Sequence, residues 1–136
     1  MIYNFVQYLK DEFPTELFYT NIRVLIAGQE SIPDRNVLVK ETGGLEKPWF
    51  KYIEKTVQII SRDIDTPLAR KLSWSIHENV TSRFGLILPF VAVNGINYPE
   101  VQTCQISAIQ EPYCLGDDGN GRIEFTTNYK LIYRRL

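Results

Sequence analysis

The feature that most constrains this chain lies near its end. Across residues 122–134, Ile123, Phe125, Thr127, Tyr129, Leu131 and Tyr133 alternate with Arg122, Glu124, Thr126, Asn128, Lys130 and Arg134, and only Ile132 breaks the polar set. Successive side chains of a strand point to opposite faces, so this period of two predicts a long antiparallel strand with one buried and one wet face. Such a strand needs a neighbour for its backbone and a cover for its apolar face. Residues 101–110 supply the neighbour. Val101, Thr103, Gln105, Ser107 and Ile109 would face one way and Gln102, Cys104, Ile106, Ala108 and Gln110 the other, a weak alternation that fits a strand partly covered on both faces. With residues 111–121 read as a turn, the two strands pair most simply as a hairpin.

The cover comes from residues 56–84. Thr56-Val57-Gln58-Ile59-Ile60-Ser61-Arg62 is short and β-branched, a strand by composition. Asp63-Ile64-Asp65-Thr66-Pro67 breaks it, with Asp65 or Thr66 as helix N-cap and Pro67 suited to the first turn. Ala69, Leu72, Ile76, Val80 and Phe84 then recur at steps of three and four, an apolar stripe on a helix that lies on the sheet holding the preceding strand. Gly85 is expected to end this helix as a left-handed cap.

Residues 1–13 predict a first helix with Ile2, Phe5, Val6, Leu9 and Phe13 on one face, stopped by Pro14. The short apolar pieces Leu17-Phe18-Tyr19 and Val24-Leu25-Ile26-Ala27 carry no firm assignment, and residues 31–34 read as a loop. Residues 36–41 form a strand closed by Thr42-Gly43-Gly44. Residues 45–52 are a loop dense in large rings, with Trp49, Phe50 and Tyr52. These either fold back over the sheet or wait for a neighbouring subunit. Residues 90–98 form a hairpin turned by Asn94-Gly95. The expected fold is one α+β domain over residues 1–136: a mainly antiparallel sheet of about four strands, with the N-terminal helix and one long helix packed on it, in the order α-β-β-α-β-β.

Composition narrows the function. A formal charge of −1 lacks the basic surplus of a free-standing nucleic-acid binder. No apolar run has the length of a bilayer span and no secretory leader is legible at the N-terminus, so a cytosol-like compartment and no membrane partner are expected. In that setting Cys104 and Cys114, which fit no zinc pattern, are expected as free thiols.

Chemical signals are sparse. His77 is the only histidine, and neither cysteine sits in a nucleophile motif. Gly116-Asp117-Asp118-Gly119-Asn120-Gly121 could offer oxygen ligands to a metal, but the alternating acids and closing Glu of a calcium loop are missing, and the same residues make a tight turn. No phosphate loop, dinucleotide fingerprint or paired zinc histidines occur. No catalytic residue, metal site or cofactor is expected.

Three blocks together resemble the tail terminator or tail-completion proteins of long-tailed bacteriophages, also labelled minor capsid proteins. The first is Val37-Leu38-Val39-Lys40-Glu41-Thr42-Gly43-Gly44. The second is Val57-Gln58-Ile59-Ile60-Ser61-Arg62-Asp63 with Ala69-Arg70. The third comprises Gln110-Glu111-Pro112, Leu115-Gly116-Asp117, Gly121-Arg122 and Asn128-Tyr129. They span residues 37–133 in the family's order. The connection over residues 90–99 and the aromatic loop around Trp49 depart from its pattern.

The resemblance implies a non-enzymatic virion protein, made in the host bacterial cytoplasm, whose copies form a ring, typically sixfold, on the head-proximal end of the tail tube. Its partners would be itself, the tube protein and the head connector or stopper, with DNA passing through the lumen unread. Heterologous contacts close such a ring, and residues 122–134 or 36–41, if edge strands, could pair across subunits. Trp49, Phe50, Arg62 and Arg122 are the expected subunit-interface residues. The competing readings are another head–tail joining component, a small metal-dependent hydrolase using Asp117, Asp118 and Glu111, and a small-molecule binding module suggested by the aromatic count.

Overall fold

The computed structural model describes residues 1–45, 51–81 and 83–134. Its elements run α1 (Ile2–Glu12), β1 (Phe18–Thr20), β2 (Asn36–Leu45), β3 (Tyr52–Asp63), α2 (Thr66–Val80), β4 (Arg83–Phe84), β5 (Ile87–Leu88), β6 (Val91–Val93), β7 (Ile96–Tyr98), β8 (Val101–Ala108), β9 (Tyr113–Asp117) and β10 (Ile123–Arg134). The α+β class holds, with two helices on a mainly antiparallel sheet. That sheet has eight strands, not about four, in the order β1-β2-β3-β10-β8-β4, with β5 also on β8 and β9 also on β10. The additional strands are short pieces on its flanks.

The alternating strand β10 sits inside this sheet. It pairs along its whole length with β3, from Ile123 opposite Asp63 to Arg134 opposite Tyr52. On its other side it takes β9 over Ile123 to Thr126 and β8 over Tyr129 to Tyr133. Strands β8 and β9 are therefore one interrupted arm of the expected hairpin, broken where Pro112 has no N–H to donate. The turn is shorter than residues 111–121, because Tyr113–Asp117 is strand. A strand paired on both sides is no edge, so β10 cannot template a neighbouring chain. On β2, the segment Phe18–Thr20 covers Val37 to Val39, and among the described residues only the far end of the strand is left as edge.

Gly43 and Gly44 do not close β2. The strand passes through a bulge between Glu41 and Gly43, where Gly43 takes φ +97°, and continues to Leu45. A Cβ on Gly44 would run into the backbone carbonyl of Glu54 on β3. The hairpin Asn94-Gly95 is as expected, with positive φ at both turn residues.

The main core lies on the helix side. Phe5, Leu9, Leu72, Ile76 and Val80 bury against Val37, Val39, Val57, Ile59, Tyr129 and Leu131. Asp65 caps α2, its carboxylate accepting from Leu68 N–H at 3.1 Å. The helix stops at Val80, with Thr81 extended, earlier than its apolar stripe suggested. Phe84 is instead in β4, whose Arg83 and Phe84 find ladder partners in Ile106 and Gln105, and its ring is 72% exposed. Gly85, with φ +67°, turns the chain between β4 and β5 rather than capping the helix. A polar pin also holds α1: buried Asn4 donates from Nδ2 to the carbonyls of Pro89, Tyr98 and Pro99 at 2.9–3.1 Å.

Candidate functional site

On the face opposite the helices, residues 21–35 cross the sheet as a strap without regular structure. Beneath it Tyr19, Leu38 and Ile60 form a small apolar cluster joined by Ile32. An irregular segment over a sheet leaves its carbonyls in need of donors. The sheet supplies them. Arg62, 5% exposed, donates through Nε to Asp34 O at 3.0 Å and through Nη2 to Pro33 O at 2.9 Å. Asn36 donates to Pro33 O at 2.8 Å and accepts from Arg23 Nε at 2.7 Å.

Charged pairs extend this network. Arg23 reaches Glu124 at 3.3 Å, and Arg35 bridges Glu16 at 2.8 Å and Asp63 at 2.9 Å. Arg122 meets Asp118 at 2.8 Å and Asp34 at 3.7 Å, while Arg62 lies 3.8 Å from Asp118. Burial, then the nearby Arg23 and Arg122, lowers the Arg62 pKa, and the hydrogen bonds that Arg35 donates to Glu16 raise its own pKa despite its partial burial. The structure thus brings Arg62 and Arg122 together, as the sequence could not show. Both are engaged by their own chain: Arg62 lies inside the fold and Arg122 is half-buried. Trp49 and Phe50 lie outside the described residues.

Held near both ends by these arginines, the strap turns its middle outward. Ile22, Val24, Leu25 and Ile26 are 45–67% exposed. Reciprocal bonds fix the tip, from Gln29 N–H to Ile26 O at 3.0 Å and from Ile26 N–H to Gln29 Oε1 at 3.2 Å. At the other end of the sheet, where Ile53 pairs with Tyr133, a groove of about 600 Å³ is lined by Ile53, Ile87, Pro99, Val101 and Tyr133, with Glu100 and Arg134 beside them. A third surface is β9, whose outer side has no strand partner among the described residues and whose Tyr113 and Leu115 are exposed.

Of the residues weighed for chemistry, Asp117, Asp118 and His77 have structural partners. Asp117 accepts from the N–H groups of Gly119 at 2.6 Å and Gly121 at 3.1 Å, and Asp118 from those of Asn120 at 2.9 Å and Arg122 at 3.3 Å. Burial pushes the Asp118 carboxyl up, but these N–H groups and the Arg122 guanidinium outweigh it and hold the pKa below the usual carboxylate value. The two carboxylates build the turn. His77 is buried with Nδ1 3.1 Å from Tyr129 Oη and 3.0 Å from Thr81 Oγ1. Burial lowers its pKa against the pull of Glu111 and Glu78, and burial pushes the Tyr129 hydroxyl well above its ordinary value. Cys104 and Cys114 are free and exposed. Among the described residues no group of three or more His, Cys, Asp or Glu side chains is placed to hold a metal ion.

Sequence reasoning missed Arg23, Arg35 and Asn36, which position the strap. The only local signal was the apolar run Val24-Leu25-Ile26-Ala27 between polar stretches, which fits neither helical nor strand period. Compared with models of protein families and with curated proteins, the chain matches none.

Proposed function

We propose that the chain is a structural subunit that builds rings on itself, caps the head-proximal end of a long phage tail tube, ends tube growth and forms the joint to the head connector. One observation carries this reading: apolar side chains stand exposed in separate patches, on the strap tip, around the groove and along β9. Heterologous assembly requires this, because one patch docks on a different patch of the next copy. Large apolar side chains exposed together mark contact surfaces. The resemblance of residues 37–133 to tail terminators supplies the finer identity. It brings with it the ring, typically sixfold, and the tube protein and connector as partners. A formal charge of −1 suits a lumen through which DNA slides without being held. The role needs no cofactor and no bond-making step.

Electron microscopy of virus tails made with and without the protein tests the reading. Without it, tubes should grow to irregular lengths and fail to join filled heads, and adding purified protein should restore joining. Tails of uniform length that join heads normally in its absence would overturn the proposal. Binding to filled heads but never to isolated tubes would move the protein to another joining position.

A further inference from the structure

We infer that Asn94 is a site of slow self-modification, converting to aspartate and isoaspartate in the folded chain, while Asp117 shields Asn120 from the same reaction. The chain carries two Asn-Gly pairs, Asn94-Gly95 and Asn120-Gly121, both in exposed turns. In such a pair the main-chain nitrogen of the glycine attacks the asparagine Cγ, and the glycine has no side chain to hinder the approach. The N–Cγ bond forms as the Cγ–Nδ2 bond breaks, and ammonia leaves with the proton of the main-chain amide, closing a five-membered succinimide. Water then opens this ring at either carbonyl, leaving aspartate or isoaspartate.

The reaction needs a glycine nitrogen free to lose its proton and a turn free to leave its resting shape. Asn120 has neither. Asp117 accepts from the N–H of Gly121, the attacking nitrogen, at 3.1 Å, and from that of Gly119 at 2.6 Å. A carboxylate in that position keeps the proton on the nitrogen and disfavours the anion left when it departs. Asp118 ties the same turn to the N–H groups of Asn120 and Arg122 and, at 2.8 Å, to the Arg122 guanidinium. The turn also joins β9 to β10 within the eight-stranded sheet.

Asn94 has both. Among the described residues the Gly95 N–H meets no acceptor, and the two turn residues stand exposed with φ +51° and +80°. Strands β6 and β7 pair only with each other among the described residues, from Val91 opposite Tyr98 to Val93 opposite Ile96. A two-stranded unit is marginal by itself, so its tip opens at little cost. Opening stops at the base, where Asn4 holds the carbonyls of Pro89, Tyr98 and Pro99 and the Tyr98 ring lies 4.9 Å from that of Tyr3. Aspartate keeps the turn and adds a negative charge, whereas isoaspartate routes the main chain through the side-chain carbon and unsettles the two-residue register of the hairpin.

Ageing the purified full chain in mildly alkaline buffer, followed by peptide mapping with mass spectrometry, tests the assignment. The chain unfolded in urea is the reference, because there both pairs react without hindrance from the fold. In the folded chain Asn120 should convert about tenfold more slowly than Asn94, the effect on a rate of one hydrogen bond to a charged group. Asp117→Ser should raise the Asn120 rate toward its unfolded value and leave Asn94 unchanged. A circular dichroism melt establishes whether this variant is folded, and hydrogen exchange on the unmodified chain decides if it is not. There the Gly121 amide should exchange about tenfold more slowly than the Gly95 amide.

Asn120 converting as fast as Asn94 in the folded chain would overturn the assignment. So would a folded Asp117→Ser chain whose Asn120 stays slow, or a Gly121 amide that exchanges as fast as that of Gly95.

Discussion

On one face of the sheet, Phe5, Leu9, Ile76 and Val80 lie against Val57, Ile59 and Leu131 with few polar groups between them. On the other face, the cover is a strap whose carbonyls at Pro33 and Asp34 are held by Arg62 and Asn36, and whose flanks are pinned through Arg23 and Arg35. A helix satisfies most of its own backbone bonds, so an apolar stripe suffices to seat it. A strap brings bare carbonyls and must be met by donors, which arginine supplies in numbers. One face is therefore closed by burial and the other by charge-assisted hydrogen bonds. The second can respond to salt and pH, and it is the one that presents the exposed tip.

Leu9→Ala, at a fully buried position, should have the largest effect. It should cost about 3–4 kcal/mol by urea denaturation and loosen the whole molecule. Arg62→Met should cost roughly 1–3 kcal/mol, because it leaves Asp34 O without its donor and Pro33 O with Asn36 alone. Hydrogen exchange distinguishes the two: after Arg62→Met, amides of residues 21–35 should exchange faster while those of α1 and α2 keep their protection. Equal acceleration in the helices would break the comparison, since the faces would then not be independently closed.

Arg35→Ala should cost under about 1 kcal/mol, as its side chain is 39% exposed and its ion pairs are screened; the loss should shrink further in concentrated salt. The smallest effect should come from pH on the helix side. Burial holds the His77 pKa below its ordinary 6.5, so as pH drops through 6.5 the unfolded chain takes up a proton that the folded chain refuses. Stability should decline from pH 6.5 down to the lower folded value, and His77→Gln should flatten that slope in urea titrations. On the strap side the depressed Asp118 pKa works in a more acidic window, where stability is present above the ordinary 3.8 and is lost as pH falls through the lower folded value.

The helix side was largely legible in the amino-acid order. Ile2, Phe5, Val6 and Leu9 recur at helical spacing because a helix buries one stripe, and Asp65 and Pro67 mark a helix start by local chemistry. The end of α2 was not legible, because Phe84 continues the stripe and only pairing of β4 with β8 removes it. The strap side was hidden for another reason. Arg23 and Glu124 are far apart in the chain, and nothing local to either signals the other. Of the expected subunit-interface residues, Arg62 and Arg122 make hydrogen bonds and ion pairs within their own chain, while the exposed strap tip comes from a stretch that carries no firm assignment.

Wherever a periodicity or a cap suffices, the amino-acid order alone determined this protein: two helices, the long alternating strand, the Asn94-Gly95 hairpin and the α+β class. The tertiary structure decided the rest. It placed β10 in the interior of the sheet, divided its partner into β8 and β9, and added flanking strands where backbone groups found ladder partners. It also turned Arg62 inward and left Leu25 outward. Periodicity reports which side of an element is apolar, whereas pairing order and long-range donor–acceptor matches depend on which distant segments arrive together, and no local pattern encodes that.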